Sequence, residues 1–100
     1  YKREVARYTR KNKKKLYENW NGTDHYDNEL IKDYLSYNHV HRFYPTIDHK
    51  LSVFFGFSNG ISAEEIGHLD NLCITKRYLN SIKNKMVESE FLEKLNDIKS

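Results

Sequence analysis

The sequence predicts an α+β domain, and three observations carry that reading. A Lys- and Arg-rich stretch with helical character opens the chain over residues 2 to about 18. Two short runs with β character, "TIDHKLSVFF" and "NLCIT", occupy the middle and are separated by Gly- and Asn-containing loop signals. Helical periodicity then returns and continues to the end of the chain. One hundred residues are enough for one compact core and too few for a second, so a single domain over 1–100 is expected.

The first element is set by its charge. Eight of the seventeen Lys and Arg residues fall within the first fifteen positions, against one acid, Glu4. Val5, Tyr8 and Tyr17 are its less polar positions, and Trp20 follows. The "NGTD" at 21–24 is a turn signal that ends the helix. In "NELIKDYLSY" (28–37), Leu30, Ile31, Tyr34 and Leu35 recur at i, i+1, i+4 and i+5, which predicts a short helix.

Pro45 biases Tyr44 toward extended geometry, and "TIDHKLSVFF" reads as strand. Gly56, Asn59 and Gly60 mark a loop, and "SAEE" (62–65) is a capping-box signature for one or two helical turns. "NLCIT" (71–75) is the second strand, with Leu72 and Ile74 alternating against Asn71, Cys73 and Thr75. Thr75 is placed to cap a helix from about 76 to 86. On it Leu79, Ile82 and Met86 form the core stripe, with Lys76, Asn80 and Lys83 in a second stripe at its edge. The last segment, "ESEFLEKLNDIK", carries Phe91, Leu92, Leu95 and Ile98 as the apolar face of a packing helix.

Composition excludes several classes. No apolar run approaches the roughly 18 residues of a membrane span, and none reads as a signal peptide, so no membrane partner is expected. The single Cys73 excludes an internal disulfide framework and a Cys-rich zinc knuckle, and it fits a reducing, intracellular setting. Cys73 itself reads as a small strand residue rather than a nucleophile. His39 and His41 stand at i, i+2 but have only Cys73 to join them as zinc ligands. The chain starts with Tyr1 rather than Met, as expected of a domain trimmed or excised from a larger protein. Nucleic acid is the natural partner of the basic first segment, because it has too few apolar residues to insert into a membrane.

Asp48 and His49 stand together at the end of the first apolar run, with Lys50 behind them. Asn71 opens the second run, Asn80 follows nine positions later, and Lys83 three after that. "DHK" followed by "DNLCITKRYLNSIKNK" resembles the HNH nucleases, whose core is a ββα-metal finger. Here the last ligand position holds Asn, the H-N-N form that also occurs in the HNH domain of RNA-guided CRISPR nucleases. The resemblance spans about residues 44–85, with the implied ββα-metal core over about 44–86, and the wider arrangement looks most like phage-encoded HNH endonucleases of the homing type. It implies a ββα-metal finger flanked by a basic N-terminal helix and an amphipathic C-terminal helix. The Gly-Gly loop and paired Cys residues of many members are absent, so no structural zinc is expected.

The resemblance also implies roles. Neutral imidazole titrates near working pH, which makes His49 the general base for an attacking water. Asp48 and the amide oxygen of Asn80 are hard ligands for one Mg²⁺ or Mn²⁺, which would neutralise the leaving 3′ oxygen. Asn71 would hold His49 through its Nδ1–H. Lys50, Lys76, Arg77 and Lys83, with Arg3, Arg7, Arg10 and Lys14 of the first helix, would contact the DNA backbone. The activity implied is metal-dependent phosphodiester hydrolysis in DNA. A finger has one active site, so a double-strand break calls for a homodimer or two sequential nicks. Two readings from other classes stay open: a non-catalytic nucleic-acid-binding domain built on the basic helix, and a structural domain of a larger phage or mobile-element protein.

Overall fold

A computed structural model describes residues 1–99. Among them are five α-helices and a two-stranded antiparallel sheet, an α+β architecture. Helix α1 spans Lys2–Glu18 and ends before Gly22, whose φ of 90° permits the turn. Strand β1 (Pro45–His49) pairs with β2 (Leu72–Lys76), Asp48 opposite Cys73 and His49 opposite Leu72. Between the strands lie the short helices α2 (Val53–Ser58) and α3 (Ala63–Ile66). After them come α4 (Arg77–Lys83) and α5 (Glu88–Lys99). No helix of the described residues is long and apolar enough to cross a membrane.

Several expected boundaries are corrected. The first strand stops at His49 rather than running through "LSVFF". Ser52 accepts a hydrogen bond from the Phe55 amide at 3.0 Å and donates to the Lys85 carbonyl at 2.7 Å, so capping outweighs the β propensity of Val53 and the phenylalanines. The helix expected over 28–37 is only a 3-10 turn over Lys32–Ser36. The "SAEE" cap forms as read, with Ser62 accepting from the Glu65 amide at 3.1 Å.

Thr75 does not cap α4. Its hydroxyl donates to the buried carboxylate of Asp24 at 2.8 Å, and the first amides of α4 donate instead to the carbonyls of Tyr44 and Arg42, each at 2.9 Å. Helix α4 ends at Lys83, earlier than expected, because Asn84 takes a positive φ of 46°. Ile82 is exposed, because Lys83 rather than Ile82 takes the buried position beside Leu79, which is buried as expected. On α5, Phe91 and Leu95 enter the core while Leu92 and Ile98 face solvent.

Two small cores flank the sheet. Tyr26, Cys73, Leu79, Phe91 and Leu95 form one; Val5, Ala63 and Ile66 form the other, beneath α1. The long connection before β1 is pinned by Asp24, which also accepts from the amides of Tyr26 and Lys76 at 2.8 and 2.7 Å. His41 stacks on Tyr34 with ring centroids 5.2 Å apart and accepts from the Phe43 amide, which occupies it in packing that connection.

Helix α1 lies directly on Gly67. A Cβ there would sit 2.6 Å from Tyr8 Cβ and 3.0 Å from the Val5 carbonyl oxygen, and the backbone cannot move aside as a flexible side chain would. Gly67→Ala is expected to destabilise the fold by about 1–3 kcal/mol through overpacking, measured as a lower urea midpoint. An unchanged midpoint would show that α1 is not seated this closely.

Candidate functional site

The alternation of strand β1 sends Asp48 and His49 to opposite faces of the sheet. Asp48, only 4% exposed, points toward the core. Its Oδ1 accepts from the ammonium of Lys83 at 3.2 Å, and its Oδ2 accepts from the hydroxyl of Tyr26, with Cys73 Sγ 3.8 Å away. Lys83 is fully buried and also donates to the His49 carbonyl at 2.7 Å. One ammonium thus ties the carboxylate of one residue to the backbone of the next. Burial, then the neighbouring Cys73 and Asp48, hold the Tyr26 hydroxyl protonated far above the usual tyrosine range, so it stays a donor. Burial first, then Asp48, pushes the Cys73 thiol up to about 12, which removes it as a nucleophile.

His49 turns the other way, to α1. The hydroxyl of Thr9 lies 2.8 Å from the Val5 carbonyl and 2.9 Å from His49 Nε2. A hydroxyl has one hydrogen. Both contacts are hydrogen bonds at once only when that hydrogen goes to the Val5 carbonyl, which can only accept, and Thr9 Oγ1 accepts the Nε2–H of the imidazole. Satisfying both assigns the ring as the Nε2–H tautomer, with a bare lone pair on Nδ1. No side-chain nitrogen or oxygen among the described residues is buried without a partner. Nδ1 and the Oδ1 of Asn80, for which no hydrogen bond is seen, are consequently not fully sealed from solvent. Burial lowers the His49 pKa; Asp48 opposes this and Lys83 adds to it, with the net direction downward. The imidazole is neutral at neutral pH.

Asn80 donates from its amide nitrogen to Thr46 Oγ1 at 3.1 Å and to the Ile47 carbonyl at 3.2 Å. This anchors α4 to β1 and leaves the amide oxygen free. Asp48, His49 and Asn80 all line one open cleft of about 1080 Å³, with Lys2, Arg3 and Lys85 at its rim. Two hard oxygens, one anionic, are of the kind Mg²⁺ takes while water and phosphate oxygens complete its shell, but the Asp48 carboxylate is buried on the face opposite His49 with both oxygens already held by Lys83 and Tyr26. Such an ion would share Asp48 with the ammonium of Lys83. Among the described residues no cluster of three or more His, Cys, Asp or Glu side chains is arranged to hold a metal.

Three site expectations are corrected. Asn71 does not hold His49. Its Oδ1 accepts from the Leu51 amide at 2.8 Å, and its Nδ2 donates to the carbonyls of Leu51 and Ile66 at 3.1 and 2.8 Å. It fixes the exit of β1, from a 3-10 turn just before β2, while Thr9 orients the imidazole. Lys83 cannot grip phosphate, since it is buried beneath Asp48. Lys76 is only 1% exposed and is paired with Asp27 and, at 2.7 Å, with Glu29. Burial pulls its pKa down, but those two carboxylates outweigh it and hold the ammonium charged.

Arg3, Arg7, Arg10, Lys14 and Arg77 are exposed. Lys50 is half-buried, its ammonium 3.3 Å from the Asp70 carbonyl. Thr9 and Tyr26 were not legible as site residues, because nothing local in the sequence marks a Thr or Tyr for contact with a strand so distant along the chain. Comparison of the chain with protein-family models, curated proteins and solved structures gives no match.

The buried pair makes a sharp prediction. Lys83→Met leaves the Asp48 charge without its cation and is expected to cost about 3–5 kcal/mol. Adding Asp48→Asn should recover much of that, since the two changes act on one interaction. Urea unfolding of the wild type, both single variants and the double variant closes the cycle. Additive losses would contradict the coupling.

Proposed function

We propose that this chain is a metal-dependent DNA endonuclease of the HNH type, with β1, β2 and α4 as its ββα-metal finger. The observation that carries the reading is the open Nδ1 of a neutral His49 in the same cleft as Asp48 and the free amide oxygen of Asn80. A purely binding domain has no use for a base oriented in this way.

In this reading Nδ1 takes a proton from the water that attacks phosphorus in line. Thr9 accepts the Nε2–H throughout, so the imidazolium that forms keeps its orientation. Asp48 and Asn80 Oδ1 would hold one Mg²⁺ or Mn²⁺, which when bound supplies charge neutralisation at the leaving 3′ oxygen. Tyr26 and Lys83 keep the Asp48 carboxylate fixed. Arg3, Arg7, Arg10 and Lys14 follow the i, i+4, i+7, i+11 spacing of one helix face. At 1.5 Å per residue that stripe is about 16 Å long, the length of four or five nucleotides at about 3.4 Å each. It starts at the cleft, because Arg3 lines the rim. Arg77 and Lys50 lie beyond opposite ends of the two-stranded sheet and would add separate phosphate contacts. These contacts grip phosphate independently of sequence and weaken with salt.

A plasmid-nicking assay tests the reading. Wild type is expected to cut only with Mg²⁺ or Mn²⁺, and His49→Ala to lose about 10²–10⁴-fold in rate while retaining DNA affinity. Asn80→Ala should lose turnover and regain part of it at high metal concentration. The lowered His49 pKa places the acid limb of the rate profile below pH 6.5: the base is active when neutral, so activity falls only as pH drops through that lowered value. Full activity of His49→Ala would reject the mechanism, and cutting without divalent metal would reject the metal's role.

A further inference from the structure

The cleft has a second component that phosphate chemistry does not use. Phe54 and Phe57, one turn apart on α2, line the same cleft as His49 and are 54% and 68% exposed. Other residues of α2 make its inward contacts: Gly56 lies against Ile66, and Val53 packs on the Val5, Ala63 and Ile66 core. The two phenyl rings are thus left at the rim. Tyr1 meets Phe57 edge-on at 5.5 Å between ring centroids, and the ammonium of Lys85 sits 4.9 Å over the ring of Phe54. Lys2 and Arg3 are exposed beside them.

Rings and cations sharing one groove beside a phosphate-cutting centre match one ligand chemistry closely. A nucleotide strand with unstacked bases offers a π face to each ring and a phosphate to each cation. An uninterrupted duplex offers the phosphates but keeps its base faces stacked inside. We propose that Phe54 and Phe57 form a base-stacking platform, and that the strand entering the cleft is unpaired next to the scissile phosphate, as in single-stranded or locally melted DNA. The proposal deepens the nuclease reading by naming the form of its substrate, and it rests on that reading only for the position of the cut.

Fluorescence anisotropy separates the two. In a His49→Ala background, which prevents turnover, a labelled mixed-sequence oligonucleotide is titrated at low salt as single strand and as duplex. Phe54→Ala/Phe57→Ala is expected to weaken single-strand binding at least about tenfold, the loss of base stacking, and duplex binding less than about twofold. Phe54→Trp/Phe57→Trp should retain single-strand affinity, which excludes a general loss of fold. Equal losses on both substrates, or no loss on the single strand, would overturn the platform. If the wild type cuts no DNA while ring-dependent single-strand binding persists, the platform stands and the nuclease reading falls. If it cuts DNA while single-strand binding is indifferent to the rings, the nuclease reading stands and the platform falls.

Discussion

The ion pair between Asp48 and Lys83 is the constraint on which the rest of the site depends. A carboxylate this buried is tolerated only with a partner, because an isolated charge away from water costs several kcal/mol. The partner comes from α4, Tyr26 reaches Asp48 from the connection before β1, and the same ammonium binds the carbonyl of His49. Strand, helix and connection therefore converge on one buried charge. The pair is not a large net source of stability, since a well-packed apolar trio of the same volume would do as well. What it provides is position: with the backbone fixed at residues 48 and 49, strand alternation alone decides where the imidazole goes.

It goes to α1, and this gives that helix two roles on two faces. The face carrying Val5 and Thr9 packs on Gly67 and the Ile66 core and sets the tautomer of His49. The opposite face carries the stripe of exposed cations. Asn12 reinforces the packed side by donating to the Gly67 carbonyl at 3.0 Å. A basic helix that served only as a solvated tether would have no need of this seat. In the proposed nuclease function, this packing would link phosphate grip and base orientation through one rigid element.

What the sequence disclosed follows a physical division. Local signals were readable: the 17-residue α1, the Ser62 cap, and the order of strand, strand and helix with Asp48, His49 and Asn80 upon them. Tertiary competition was not. Thr75 is a good cap by type, but Asp24 takes its hydroxyl from 51 residues away. Lys76 and Lys83 have the composition of DNA contacts, yet the carboxylates of Asp27, Glu29 and Asp48 draw both inside. Asn71 and Thr9 each make bonds that depend on how distant segments meet, and no periodicity encodes those. The phenylalanines of "SVFF" looked like strand interior because β propensity records burial on a pleated face, whereas a serine cap turned them into a helix at the rim of the cleft.

The proposed chemistry requires the cleft to hold a neutral imidazole with its Nδ1 lone pair bare and its Nε2–H committed to Thr9. A long-range ¹H–¹⁵N spectrum of the imidazole nitrogens in the wild-type protein above pH 6.5 reads this directly. The account predicts that His49 shows a protonated Nε2 and an unprotonated Nδ1. A proton on Nδ1, or a doubly protonated ring at that pH, would contradict it.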